Sequence, residues 1–544
     1  MRIRKSAGPL SVHAIAGSYV VLLGLDLDQG DSPGLLGFAI ERFDPEEDER
    51  YWLRGMKVFE ETSKGVPPGT PVSLLEHPLQ SFLWGDYTAK PGRSYEYRVV
   101  ALYGKPKNLE VRHEVTVAVR TEPVDEGGHA IHFNRGVGAG QAYVREFGER
   151  KPRENDRTDP AYDWLSRGLE EALIAFIRSA DGPSCALRGS VYEFNYPHVL
   201  AELKAAVDRG VDVRIIYDRR GKASTDPKKV WQSTEPAVEE AGLTDHMIPR
   251  TTNSSISHNK FLVLLRDDTP REVWTGSTNI TWGGLFGQSN VGHLLRDPAT
   301  AATYLDYWTR LADDPAYAQI RPANTTASPT PATPPLAGTN CVFSPRTTLD
   351  LIDWYAEQAG RATRSFFMTA AFGVHDKIAM ALQPESDVLR YLVLERPPGE
   401  DEIRFDTDHD VKTAIGSLLT DEILNRWTRE QLTGLNGHVR FSHTKFMLVD
   451  PLGDDPLVIT GSGNFSDPSV RENDENVLVI QGDTRAADIY LGEFMRIFNH
   501  YYFRFLQQRL GKSEEVVFLK TDDSWVARYY DPATPSHRQR LLFK

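Results

Sequence analysis

The feature that most constrains this chain is a set of polar residues that recurs at one fixed offset. SHNKFLVLL, followed by REVWTGSTNIT, returns as SHTKFMLVD, followed by PLVITGSGNFS. His258 and His443, Lys260 and Lys445, and Asn279 and Asn464 are each 185 positions apart, so each histidine precedes its asparagine by 21. Three residue types held at one spacing in otherwise diverged sequence point to two copies of one structural unit. In each copy His and Lys stand two apart at the head of an apolar run, which on a strand turns both side chains to the same face. The next run ends in Gly-Ser-x-Asn. Pairing of the two runs would set the asparagine beside the His and Lys, and two-fold assembly of the copies would gather six polar side chains in one place.

The surroundings of each copy follow one grammar. From about residue 126, WLSRGLEEALIAFIRSA carries apolar residues at helical spacing and is followed by CALRGSVYEF, the helical HVLAELKAAVDRG and the apolar VRIIY. The alternation returns after residue 340 in LDLIDWYAEQAGRA, SFFMTAAFGV and VLRYLVLE. The expected fold class is therefore α/β, with two α/β halves packed as a pseudo-two-fold pair over residues 126–321 and 339–544, the second ending in a C-terminal tail. Between them, the Pro/Thr-rich residues 322–338 are expected to form an extended linker. Residues 1–125 are short β-prone runs divided by turn signals, which predicts a small β-sandwich. Its KPGRSYEYRVVAL segment resembles the late strand of fibronectin type III domains, with Tyr95 or Tyr97 as the corner tyrosine.

Composition sets the outer limits. A chain of 544 residues has room for several cores, at about 150 residues per domain. A net charge of -14 speaks against a general nucleic-acid coat, which needs a basic surface. Cys185 and Cys341 form no CxxC pair, which suits a reducing compartment. The opening MRIRK and the apolar run after it superficially match a secretory signal. His13, Ser18 and the acidic LDLDQGD favour strands instead. No run of 18 uninterrupted apolar residues occurs, so no transmembrane segment is expected. Cytoplasmic location is the expectation, with export as the alternative.

The paired motifs resemble those of the phospholipase D superfamily, HxKxxxxD followed by GSxN. The likeness spans roughly residues 130 to 510, and the second copy matches throughout with His443, Lys445, Asp450, Gly461, Ser462 and Asn464. The resemblance implies a phosphodiesterase working through a covalent phosphohistidine. The residue types suit that chemistry, because two ammoniums and two carboxamides offset charge gathering on phosphoryl oxygens without a metal or other cofactor. One imidazole would attack phosphorus while the other protonates the leaving alcohol and later deprotonates water. Histidine serves both tasks because its pKa lies at about 6.5.

The copies are unequal. Glu475 lies 11 residues after Asn464, where the family places a carboxylate on the histidine; the first copy has Asn290 at that offset, with Gln288 nearby. Leu265 replaces the motif aspartate of the first copy, with Asp267 and Asp268 two and three residues on. Loss of that aspartate, together with a carboxamide in place of the carboxylate, resembles the first half of tyrosyl-DNA phosphodiesterases, which supplies the nucleophile. His258 is thus expected to be the nucleophile, and His443, with its positive form stabilised by Glu475, the general acid. Ser277 and Ser462 are candidates for phosphate contact, and Trp282 and Phe286 for lining a substrate groove. Asp450 and Asn290 are expected to give structural support.

Other signals fade. FDTDHDVKTAIG starts like a calcium loop at Asp406, Asp408 and Asp410, but Val411 and Ser417 replace its glycine and its glutamate. RGVGAGQA is a Gly-rich turn without nucleotide-binding spacing. A phospholipid is the first expectation for the phosphodiester substrate. A nuclease or DNA-end-processing enzyme is the second, and a non-catalytic phosphate-binding module the third. The β domain implies a docking partner of unknown identity.

Overall fold

The computed structural model describes residues 1–65, 70–136, 141–148, 150–220, 230–252, 256–396, 411–416, 442–509 and 518–544. Asp406, Asp408, Asp410 and Ser417 of the calcium-like segment lie outside them, as do residues 137–140 of the Gly-rich turn.

Two seven-stranded mixed sheets carry the repeat. The first is built from β1 (His129–Phe133), β2 (Cys185–Val191), β3 (Asp212–Asp218), β4 (Met247–Arg250), β5 (Lys260–Arg266), β6 (Thr269–Gly276) and β7 (Val291–Leu295). The second is built from β8 (Gly338–Ser344), β9 (Ser365–Ala370), β10 (Leu389–Leu394), β11 (Val411–Ile415), β12 (Phe446–Val449), β13 (Leu457–Gly461) and β14 (Glu475–Gln481). The spatial orders, β1-β7-β6-β5-β2-β3-β4 and β8-β14-β13-β12-β9-β10-β11, are the same permutation. In both sheets three neighbouring strands run parallel (β2, β3, β4 and β9, β10, β11), and the remaining pairings are antiparallel. The central strands are apolar throughout because both faces are covered. FLVLL of β5 and FMLV of β12 are buried at every position.

One apolar core runs through both halves, joining Phe261, Tyr304 and Tyr307 of the first to Phe343, Phe446, Tyr490 and Phe494 of the second. Helices Pro298–Ala312 and Thr484–Arg509, which follow β7 and β14, supply much of it. Polar groups bridge the halves behind the core. Thr275 Oγ1 donates to Asn476 Oδ1 at 2.6 Å, Asn476 Nδ2 donates to Asn259 Oδ1 at 2.9 Å, and the buried Arg250 pairs with Asp474 at 3.0 Å.

The N-terminal region is two four-stranded antiparallel sheets, and Arg2–Ala7, Leu10–Ala16 and Val21–Leu27 are successive strands of one of them. Tyr95 Oη accepts from the Lys90 N–H at 2.9 Å, while Tyr97 Oη donates to Asp86 at 2.8 Å.

Two expected boundaries move. Residues 322–338 begin inside the helix Tyr317–Ala327, and the stretch is pinned down: Asn324 and Ser328 are buried, and Arg346 donates to the Ser328 carbonyl at 2.6 Å. Internal hydrogen bonding of the helix and burial of its polar side chains outweigh the extended bias of its composition. The C-terminal tail, in turn, returns to the β domain. Trp525, Val526 and Tyr529 enter that domain's core, Trp525 Nε1 donates to the Leu35 carbonyl at 2.9 Å, and Arg540 pairs with Asp26.

Candidate active site

Both motifs lie where the strand orders predict. Lys260 opens β5, Lys445 directly precedes β12, and each histidine stands two residues earlier in the loop that reaches the other half. Those loops cross. Ser257 makes a β-bridge with Asp474, and Ser442 makes one with Ser289, so the residue before each histidine lies beside the start of β14 or β7 in the opposite half. Asp218 at the end of β3 accepts the Ser257 N–H at 3.1 Å, and Glu395 just after β10 accepts the Ser442 N–H at 2.9 Å. These two anchors escaped the sequence reading. Their signal was present in VRIIYD and VLRYLVLE, two apolar strands that each end in an acid.

Crossing reverses one expectation. Glu475 hydrogen-bonds His258, not His443: His258 Nδ1 to Glu475 Oε2 is 2.8 Å. His443 Nδ1 instead lies 2.9 Å from Asn290 Oδ1. The sequence offset identified the right partners but paired each with the histidine of its own half. Asn290 Nδ2 donates to the Gly284 carbonyl at 2.8 Å, which orients the amide oxygen toward His443 and makes Nδ1 the protonated nitrogen. Both imidazoles therefore turn Nε2 inward, that of His443 lying 3.0 Å from Lys445 Nζ. Three further donors hold Glu475, namely Ser462 at 2.7 Å, Ser469 at 2.9 Å and Asn473 at 3.1 Å. Asn290 is held by Ser277 at 2.9 Å and, through its N–H, by Asn134 at 2.9 Å. Gln288 contributes its carbonyl, which accepts from Asn134 at 2.8 Å.

Ser277 and Ser462 are thus braces for the histidine partners, not phosphate contacts. Each is fully buried and also accepts the N–H of Val291 or Asn476 on the neighbouring strand. The glycine before each serine has a steric cause. Gly276 (φ +144°) and Gly461 (φ +153°) lie so close to the next strand that a Cβ would fall 2.2 Å from the Val291 carbonyl oxygen or 2.3 Å from that of Asn476. Trp282 and Phe286 are not a groove. Phe286 is fully buried, and both rings pack on Tyr162 and Tyr196 with centroids 4.8 to 5.7 Å apart. Asp450 stands away from the chemistry and accepts from the backbone of Thr363, Arg364 and Ser365 at 2.7 to 2.8 Å.

The electrostatics are those of buried positive charge in low-dielectric surroundings. Lys260 and Lys445 are almost fully buried, and their ammoniums donate to the carbonyls of His258 and His443 at 2.6 and 2.9 Å. Burial pushes Lys260 from 10.5 down to about 8 and holds Lys445 well below its ordinary value, with Glu475 and Glu193 pulling both back up. Burial and the two ammoniums hold both imidazoles well below 6.5. An incoming phosphodiester would offset the lysines and let one imidazole take a proton. Asn279 Oδ1 and Asn464 Oδ1 are buried acceptors with no partner among the described residues; a phosphoryl oxygen would need the Nδ2 side of either amide, which in Asn279 donates to Glu193. Sequence reasoning also missed Tyr192, whose ring packs edge-on against His258 at 5.1 Å, and Glu193, which accepts from Asn279 Nδ2. Neither has a counterpart of its own type in the second copy, so the repeat gave no signal for them.

Sheets of one strand permutation that exchange histidine loops build a single two-lobed cluster of buried histidines, lysines and carboxamides, shared between the repeats. Residues 173–312 and 404–498 match the family described as cardiolipin synthase, PLD-like domain, and these two segments are phospholipase D-like. Among solved structures, polyphosphate kinase from Porphyromonas gingivalis is similar at a TM-score of 0.37 and 12% identity. The match covers 59% of this chain and 46% of the kinase, so the chain spans less than half of that protein's length. Phosphatidylserine synthase from Haemophilus influenzae is similar at a TM-score of 0.40 and 12% identity, over 69% of this chain and 90% of that one. The phospholipase D family member Nuc from Salmonella typhimurium is 27% identical with a TM-score of 0.20, over 26% of this chain and 84% of its own. No curated protein matches the sequence. No helix among the described residues is long and apolar enough to cross a membrane.

Proposed function

We propose that the chain hydrolyses a phosphodiester through a phosphohistidine on His258, with a phospholipid as the substrate and no metal ion in the chemical step. The observation that carries this reading is the crossed pairing, His258 with Glu475 and His443 with Asn290. His258 Nε2 attacks phosphorus and leaves its ring cationic for the life of the intermediate, a charge that the Glu475 carboxylate stabilises as it forms. His443 protonates the departing alkoxide as the P–O bond breaks. A neutral amide suits that task, because a carboxylate would stabilise the starting imidazolium and weaken it as an acid. His443 then takes a proton from water, whose oxygen displaces His258 from phosphorus. The carboxylate belongs here with the nucleophile, whereas the sequence offset had assigned it to the general acid. Lys260, Lys445, Asn279 and Asn464 stabilise the phosphoryl oxygens. The lipid reading is supported by the acidic chain and by the family description as a lipid synthase domain.

The test is trapping with bis(p-nitrophenyl) phosphate, whose leaving group needs no acid. His443→Ala is expected to release one equivalent of nitrophenol and retain acid-labile phosphate on His258, with turnover lowered by roughly 10^4-fold. His258→Ala should give neither burst nor label, and EDTA should leave wild-type turnover unchanged. Label on His443 in the His258→Ala protein would reverse the roles, and binding without turnover in the wild type would favour the non-catalytic module.

A further inference from the structure

The two halves part company at the mouth of the site. Val191 of β2 pairs with Lys260, and Ala370 of β9 stands one residue beyond Thr369, which pairs with Phe446 next to Lys445. Val191 and Ala370 are therefore equivalent, and two residues further on Glu193 is equivalent to Phe372. Glu193 is half-buried, bonded to Asn279 and close enough to act electrostatically on both lysines. Phe372, two residues beyond the buried strand β9, is 53% exposed. Its loop is fastened beside Asn464 by the 2.8 Å pair of His375 with Asp467. One lobe thus offers a carboxylate at the point where the other offers a bare aromatic face.

Resting on the phosphodiesterase reading, we propose that Glu193 and Phe372 form a polarised mouth selecting zwitterionic amphiphiles, with an ammonium-bearing substituent of the phosphodiester against Glu193 and an apolar one against Phe372. The substrate's own phosphate occupies the lysines and Asn279. Glu193 is then left without its cations and matches a positive group a few bonds from phosphorus. A polyanion would instead bring its next phosphate against that carboxylate, which disfavours nucleic acid. The exposed ring gains by covering its apolar face with acyl chain.

The experiment compares kcat/KM of the full chain on phosphatidylethanolamine and phosphatidylglycerol with the same acyl chains in mixed micelles, on bis(p-nitrophenyl) phosphate and on a single-stranded oligonucleotide. The wild type is expected to prefer the ethanolamine lipid. Glu193→Gln should lower the ethanolamine-to-glycerol ratio by about tenfold or more, while Glu193→Asp keeps it. Phe372→Ala should weaken both lipids roughly fivefold relative to the soluble diester. Thermal melts of the variants check folding. An equal loss on all substrates in Glu193→Gln would overturn the proposal, since Glu193 would then act only by positioning Asn279. So would a wild-type preference for the glycerol lipid or the oligonucleotide. Failure to cleave even the soluble diester would sink the phosphodiesterase reading itself.

Discussion

The first and second halves share a strand permutation, a His-Lys spacing and a Gly-Ser-x-Asn turn, yet they differ in the side chain that each histidine meets from the opposite half. Glu475 on one imidazole faces Asn290 on the other, and further out Asp450 answers Leu265 and Phe372 answers Glu193. On the proposed reading, the groups that meet phosphoryl oxygens are duplicated and the groups that decide what each histidine does have diverged. Symmetry would then belong to the substrate's anion, and asymmetry to the direction of the reaction.

The sharpest way to break that comparison is to remove one partner at a time. Glu475→Gln keeps a hydrogen-bond acceptor but loses the charge, and kcat is expected to fall roughly 100-fold or more because the phosphohistidine cation loses its counter-ion. Asn290→Ala frees His443 without removing a charge, for a loss of about tenfold. Burst kinetics with a lipid and with a p-nitrophenyl diester would separate the two. The burst on the activated leaving group should be nearly normal in the Asn290 variant, whose slowed step is then the attack of water, and the Glu475 variant should have a reduced burst on both. A larger loss in Asn290→Ala would exchange the two roles.

Much of this was legible in the chain because the repeat is a subtraction that tertiary packing cannot disguise. It identified the six polar residues at the centre and both histidine partners. The crossing was not legible. Glu475 and Asn290 stand at one offset from their own motifs, and either pairing satisfies that arithmetic; only the loop exchange of Ser257 with Asp474 and Ser442 with Ser289 decides. Trp282 and Phe286 misled for a related reason. An aromatic after a motif reads alike whether it faces ligand or core, and here Tyr162 and Tyr196 were waiting for it. The tail defeated the boundary because Trp525 and Tyr529 fill a core formed some 500 residues earlier.

Burial of the lysines supplies a stability prediction of intermediate size. Lys260 is held at about 8 in the folded chain against an ordinary 10.5. Between those values the unfolded chain holds a proton that the folded one lacks, so stability rises with pH across that window, and below about 8 the whole cost of burying the charge is present. Lys260→Met should therefore remove up to about 3 kcal/mol of destabilisation at pH 7 while abolishing activity. The measurement is the variant's gain in melting temperature from pH 7 to 10, which is expected to shrink as pH rises. A lower melting temperature at pH 7, or a gain that grows with pH, would show that the Glu475 and Glu193 carboxylates need this ammonium more than burial opposes it.

The smallest effect concerns the ends of β5 and β12. Asp450 has a left-handed φ of 45° and gathers three N–H groups and the Thr363 hydroxyl at the start of β9. In the first half the strand runs on past Leu265 through a register shift between Leu264 and Leu265, and the left-handed turn falls at Asp267, which donates its N–H to the Ser184 carbonyl as Asp450 does to that of Ser365. The motif letter is lost because the strand runs two residues further before its turn, and Leu265 is buried in the core shared by both halves. On this account the aspartate is a strand-end brace that a longer strand replaces with ladder pairing. Asp450→Ala is expected to cost about 2 kcal/mol, from net hydrogen bonds to a partly exposed carboxylate, while leaving kcat within about twofold. A fall in kcat out of proportion to the change in melting temperature would instead tie the aspartate to the chemistry, and its loss from the first copy would then count among the differences that set the histidines apart.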